Sequence, residues 1–230
     1  MAREASPFGA GLFEFLAALE RNNDRGWFER NKQRYESEVR EPALEFIRAM
    51  APHVERISPH LRASARKVGG SLMRVHRDVR FSRDKRPYKT NLGIQFRHEA
   101  GKDVHAPGLY FHVDTEQVFL GAGMWHPDAP SLAAVRRAID EDRAGWKRVR
   151  ARKRFSAGWS LAGESLKRPP RGYPADHPLL DDLRRKDHIA VSNLERDEVT
   201  RPGAVRAVAA RFGEARGYLG WLAAALDLPF

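Results

Sequence analysis

Between Thr90 and Met124 the chain alternates. Leu92, Ile94 and Phe96 are set between Asn91, Gly93, Gln95 and Arg97. Leu109, Phe111 and Val113 alternate with Tyr110, His112 and Asp114, and Val118, Leu120, Ala122 and Met124 continue the period. Successive side chains of a strand point to opposite faces, so a period of two predicts strands with one apolar face. The short Asp114-Thr115-Glu116 segment predicts a hairpin between the last two runs. With a β-rich stretch from Ser71 to Asp78, the pattern predicts strands over Ser71–Asp78, Thr90–His98, Leu109–Asp114 and Gln117–Met124. The expected sheet is antiparallel, with one apolar face and one polar face.

An apolar sheet face must be covered, and the flanks supply the cover. Phe13, Leu16 and Ala17 recur at helical spacing, widened by Leu12, Phe15 and Leu19. Asn22-Asn23-Asp24 breaks this helix and offers a cap for a second one carrying Trp27, Phe28, Asn31 and Tyr35. Pro42 opens a third, with Leu44, Ile47 and Val54 inward and Pro52 as a kink or end. After the sheet, Ser131 to Arg154 reads as helix, Phe155 to Leu166 as one or two short strands, and Lys167 to Pro178 as an ordered loop. Leu179 to Lys186 reads as a short helix and Ala204 to Leu226 as one long amphipathic helix. The expectation is a single α+β domain over 1–230, an antiparallel β-sheet with one face covered by N- and C-terminal helices.

At 230 residues the chain is long enough to bury a real core. No apolar run approaches the roughly 20 residues that span a bilayer, and Met1 to Gly11 has no apolar leader core. Cysteine is absent, which excludes disulfides, thiolate nucleophiles and Cys-based zinc sites. These features point to a cytoplasmic protein with no membrane partner.

The net charge of +11 is concentrated. Arg62, Arg66, Lys67, Arg74, Arg77, Arg80, Arg83, Lys85, Arg86 and Lys89 meet only Asp78 and Asp84 within the same segment. Two acids cannot neutralise ten bases, and a clustered surplus creates a local potential that attracts anions. A second basic stretch, Lys147 to Arg154, follows the acidic Asp140-Glu141-Asp142 and reads as a solvated helix face.

The segment from Gly69 to Asn91 (GGSLMRVHRDVRFSRDKRPYKTN) resembles the DUF2461 family of uncharacterised proteins. The resemblance extends to Asn22-Asn23-Asp24-Arg25, Trp27-Phe28 and Asn31. It also takes in His105-Ala106-Pro107-Gly108, Gly121-Ala122-Gly123 and Leu166-Lys167-Arg168-Pro169-Pro170-Arg171-Gly172-Tyr173. It implies a fold shared across the family and supplies no catalytic residue.

The chemistry is therefore read from the residues. Arginine presents a planar fork that binds two phosphate or carboxylate oxygens at once. Arg74, Arg77, Arg80, Arg83, Lys85 and Lys89, completed by Arg97 and Tyr110, form the expected site for a phosphorylated or other anionic small molecule. His76 and His112 are candidate general acid–bases beside the bound anion, with Asp78 on the same strand face as His76. Hydrolytic or transfer chemistry would follow from that pairing. Two other readings use the same residues. One is nucleic-acid binding along an open basic strip. The other is a metal-dependent phosphodiesterase or nuclease using His76, His112 and Asp78, for which no ligand spacing speaks and the positive surroundings are unfavourable. Gly69-Gly70 reads as a turn. Five histidines, His76, His98, His105, His112 and His126, fall in the sheet region. No P-loop, dinucleotide fingerprint or nucleophile elbow is present, so the cofactor stays unknown, as does the oligomeric state.

Overall fold

A computed structural model describes residues 5–101 and 105–230. The first four residues of the stretch read for a leader lie outside them. The sheet is six-stranded and antiparallel, in the order β1-β2-β3-β4-β6-β5. Its strands are β1 (Leu61–Arg62), β2 (Leu92–His98), β3 (Gly108–Val113), β4 (Val118–Met124), β5 (Ser160–Ala162) and β6 (His188–Leu194). The register pairs Ile94 with Phe111 and Phe111 with Leu120, which puts the alternating apolar residues of β2, β3 and β4 on one face. The fold is α+β, as the periodicities predict.

Helices cover that apolar face. They are α1 (Ala10–Arg21), α2 (Arg25–Arg30), α3 (Lys32–Tyr35) and α4 (Glu41–Ile57) before the sheet. After it come α5 (Ala129–Glu141), α6 (Arg143–Arg150), α7 (Lys153–Gly158), α8 (Leu180–Leu183), α9 (Arg196–Thr200), α10 (Ala204–Glu214) and α11 (Arg216–Ala225). Phe46 of α4 stacks on Phe111 of β3 with ring centres 4.9 Å apart, and Phe8 adds a third ring at 5.8 Å from Phe111. Phe212 of α10 meets Phe96 of β2 edge to face. Each such ring removes a large apolar area from water, and fixed ring geometry adds to the gain.

Several expectations change. Helix α4 is continuous with a π-helical turn over Glu36–Arg40, and it runs past Pro52 to Ile57. The predicted helix over Ser131–Arg154 is broken at Asp142, whose side chain accepts from the Gly145 N–H (2.8 Å) and caps α6. Phe155 belongs to helix α7, so only the short β5 occupies the stretch read as strands. The long C-terminal helix divides at Ala215. α10 packs on α4, α7 and α9, whereas α11 packs on α5, α6 and β4, and one straight rod cannot reach both sets. Strand β6 and helix α9 were not anticipated.

The Ser71–Asp78 strand is a correction of more consequence. The segment is extended but makes only isolated bridges, Leu72 to Ile94 and His76 to Tyr88. Near Ser71 it lies along β2, with Met73 N–H donating to Gly93 O and Gln95 N–H to Ser71 O. It then leaves the sheet and pairs with Pro87 and Lys89 instead, through Arg77 N–H to Pro87 O and Lys89 N–H to Val75 O. Asn23 draws it away. Its carboxamide accepts from Tyr88 N–H and donates to Tyr88 O, both at 3.0 Å, replacing a strand partner. Tyr88 is also stacked on Phe28 of α2 at 4.1 Å.

The second face of the sheet is left open, and it is not simply polar. Facing outward are Tyr110 and His112 of β3, Phe119 of β4, and Ile189 and Val191 of β6. Gly108 pairs with Gly123, and Tyr110 pairs with Gly121, so β4 raises no side chain opposite these two positions. Gly123 has φ +129°, and a Cβ there would fall 2.0 Å from the His188 carbonyl oxygen, so only glycine fits.

Candidate functional site

Because residues 72–76 cross from the sheet edge toward α2, a basin forms on one side of them and a trough on the other. The basin has a volume of about 610 Å³. Arg74, His76, Lys89 and Arg97 line it, joined by Lys67 and by Lys32 and Arg40 from the helical side. Glu36, the one acid in the lining, is engaged by Arg40 at 2.7 Å. Among the described residues Lys67, Arg74 and Lys89 have no carboxylate within ion-pair distance, and Arg97 donates only to the Gln95 amide oxygen (3.0 Å). Partial burial, and secondarily the nearby Arg74, lower the Lys89 pKa from its usual value. His76 packs its ring against Tyr88 and Phe28, at 5.2 and 6.4 Å.

The remaining cations of the cluster are placed elsewhere. Arg77 and Arg86 share Asp84 (2.6 and 2.8 Å), and Arg80 takes Asp78 (2.7 Å). Hydrogen bonds from Arg86 and then Arg77 hold Asp84 well below the usual carboxylate range, and the bond from Arg80 lowers Asp78. Lys85 donates to the Val79 carbonyl, and Arg62 pairs with Glu99. Arg77, Arg80, Arg83 and Lys85 are absent from the basin lining. The expected eight-residue site is thus divided: Arg74, Lys89 and Arg97 face the basin, while in the loop Arg77, Arg80 and Arg86 are tied to Asp78 and Asp84.

The expected trio of His76, His112 and Asp78 is not assembled. None of the hydrogen bonds or ion pairs among the described residues joins these three. His112 instead belongs to a chain along β3. Its Nδ1 accepts from the Tyr110 hydroxyl (3.0 Å), and its Nε2–H donates to Asp114 (2.9 Å). Tyr110 also receives a hydrogen bond from Asn91, but burial, then Asp114, outweigh it and push its pKa up to about 12. Burial raises Asp114. Bonds from His112 and from the Gln117 and Glu116 N–H groups outweigh that, leaving its pKa below the ordinary value. Such a chain fixes the imidazole tautomer and can carry a proton between Tyr110 and His112. Three of the other histidines are structural. His98 donates to the Pro229 carbonyl (2.7 Å), His105 accepts from the Asp128 N–H (3.0 Å), and His126 sits in a tight turn. Among the described residues no group of three or more His, Asp or Glu is placed to hold a metal ion. Nor is any helix long and apolar enough to cross a membrane.

The trough, about 600 Å³, occupies the open face of the sheet. Tyr110, His112, Phe119, Ile189 and Val191 form its bed, and Trp125 stands at its rim. Sequence reading recognised only Tyr110 and His112 here. The signal for Phe119 was available, since it is apolar at a position on the face read as polar, whereas Ile189 and Val191 lie on β6, a strand the sequence reading did not anticipate.

An open antiparallel sheet with a basic concavity at its edge defines a class of α+β protein without naming an activity. The conserved hypothetical protein family DUF2461 matches residues 11–221, and the chain belongs to that family. No curated protein and no solved structure matches it.

Proposed function

We propose that this protein binds a phosphorylated or other anionic small molecule in the basin between Arg74, Lys89 and Arg97. The carrying observation is that these cations converge on one concavity while lacking carboxylate partners there. Like charges held together raise the energy of the empty protein, and a bound anion relieves it. His76 stands in the same lining, where an imidazole can act on a bound anion as base or hydrogen-bond donor. The nucleic-acid reading needs an exposed strip of free cations. In the exposed Arg77–Arg86 loop, Arg77, Arg80 and Arg86 are already paired to Asp78 and Asp84.

The test is titration calorimetry with inorganic phosphate on the parent and two variants. Charge-assisted hydrogen bonds are worth about 1.5–3 kcal/mol, so Arg74→Ala should weaken phosphate about tenfold or more. Arg83→Ala, outside the basin, should leave affinity within about twofold. Equal losses in both variants would refute the assignment.

A further inference from the structure

The basin is not isolated. Met73 and Gln95 line both it and the trough, so the two concavities adjoin across a shared wall. The trough is unlike the basin in chemistry. Its bed is Tyr110, Phe119, Ile189 and Val191, and the glycines of β3 and β4 give it depth. Phe119 is stacked on its cross-strand neighbour His112 with ring centres 4.5 Å apart, which fixes the orientation of its ring on the trough bed. Trp125 at the rim is 50% exposed, a costly placement for the largest apolar side chain.

That exposure is enforced. His126, next in the chain, has φ +48°, a conformation that few non-glycine residues adopt. Asp187, fully buried, accepts from the His126 N–H (2.7 Å) and the Glu164 N–H (2.9 Å), clamping the turn from beneath. A strained turn tied to a buried carboxylate keeps an indole beside an apolar trough.

We infer that the ligand is a phosphate ester of a planar aromatic group, with its ring in the trough against Phe119 and Trp125 and its phosphate in the basin. This rests on the anion reading above and specifies the rest of the molecule. The charge complementarity belongs to the basin and the apolar groove to the trough, and the Met73 and Gln95 lining common to both sets them side by side for one compound. A mononucleotide and an aryl phosphate have this chemistry in common. A single-stranded nucleic acid also presents rings and phosphates, but it would stack successive bases along a platform lined by a run of cations, whereas this trough adjoins one basic basin at its Met73 and Gln95 side.

The decisive comparison is phenyl phosphate against methyl phosphate, equal in charge and different in the ring. Affinities for the full chain are measured by calorimetry, with tryptophan fluorescence following Trp125. Phenyl phosphate should bind at least about tenfold more tightly, as expected for burying one ring. Val191→Trp, which fills the trough, and Phe119→Ala, which removes its wall, should each erase the difference while leaving methyl phosphate within about twofold of the parent. Trp125→Phe should remove the fluorescence change. Equal affinity for the two esters would overturn the inference and leave the anion site standing. No binding of either ester or of inorganic phosphate would overturn both. An affinity for oligothymidylate that exceeds phenyl phosphate and grows with length would replace the small molecule with a nucleic-acid strand.

Discussion

Asn23 lies 65 residues from Tyr88 in sequence, yet it is the residue that shapes the basin. Its carboxamide satisfies both backbone groups of Tyr88, at 3.0 Å each, and Tyr88 is buried. Asn23→Ala removes both partners and leaves one N–H and one C=O unpaired. Each orphaned group costs about 1–3 kcal/mol when water cannot replace the partner. Partial solvent access at this site favours the lower half, so the loss is roughly 2–4 kcal/mol. For a chain of this size that is a fall in Tm of about 4–16 °C. Asn23→Asp keeps the acceptor but loses the donor, so its melting point should also fall. Phosphate affinity should drop several-fold in Asn23→Ala, because Lys89 follows directly on the freed residue. Thermal unfolding by circular dichroism with parallel calorimetry provides the check. A melting point within about 1 °C of the parent would refute the view that Asn23 serves as a strand partner.

Two further outcomes concern protons. Lys89 has its pKa lowered, so its charge is lost earlier on the alkaline side than that of a free lysine. Phosphate affinity should therefore decline as pH rises through that lowered value, and Lys89→Arg should flatten the decline because guanidinium stays charged; an unchanged profile in the variant would contradict the role of Lys89. Asp114 has a folded-state pKa below its ordinary value, so the stability it contributes is complete above about pH 4 and is lost as pH falls through the folded pKa. Urea unfolding at several acidic pH values should show Asp114→Asn with a shallower acid loss than the parent, and identical slopes would count against the Tyr110–His112–Asp114 chain.

How much of this was legible depended on whether the signal was local. The alternation of Leu92 to Phe96, Leu109 to Val113 and Val118 to Met124 is local, and it gave the three central strands almost to the residue. Strand β6 lacks alternation, because Ile189 and Val191 are apolar on the open face while Ala190 is buried on the other. Reading a polar second face hid the trough for the same reason. The charge cluster was visible as a surplus, but its division was not. One carboxylate, Asp84, serves two arginines, and the cations left for the basin are chosen by where residues 71–77 leave the sheet. That choice depends on Asn23, a contact too distant in sequence for any periodicity to register. The helix break at Ala215 likewise follows from packing partners, whereas the break at Asp142 carries a local signal, its side chain capping the next helix.

Unpaired cations at the foot of the 72–76 segment are proposed to hold a negative charge. A crystal of the parent protein soaked in tungstate, an anomalous scatterer shaped like phosphate, locates that charge directly. The tungsten peak should lie within hydrogen-bond reach of the Arg74 guanidinium and the Lys89 ammonium, and it should vanish in Arg74→Ala/Lys89→Ala. A peak on the Arg77–Arg86 loop, with none in the basin, would contradict it.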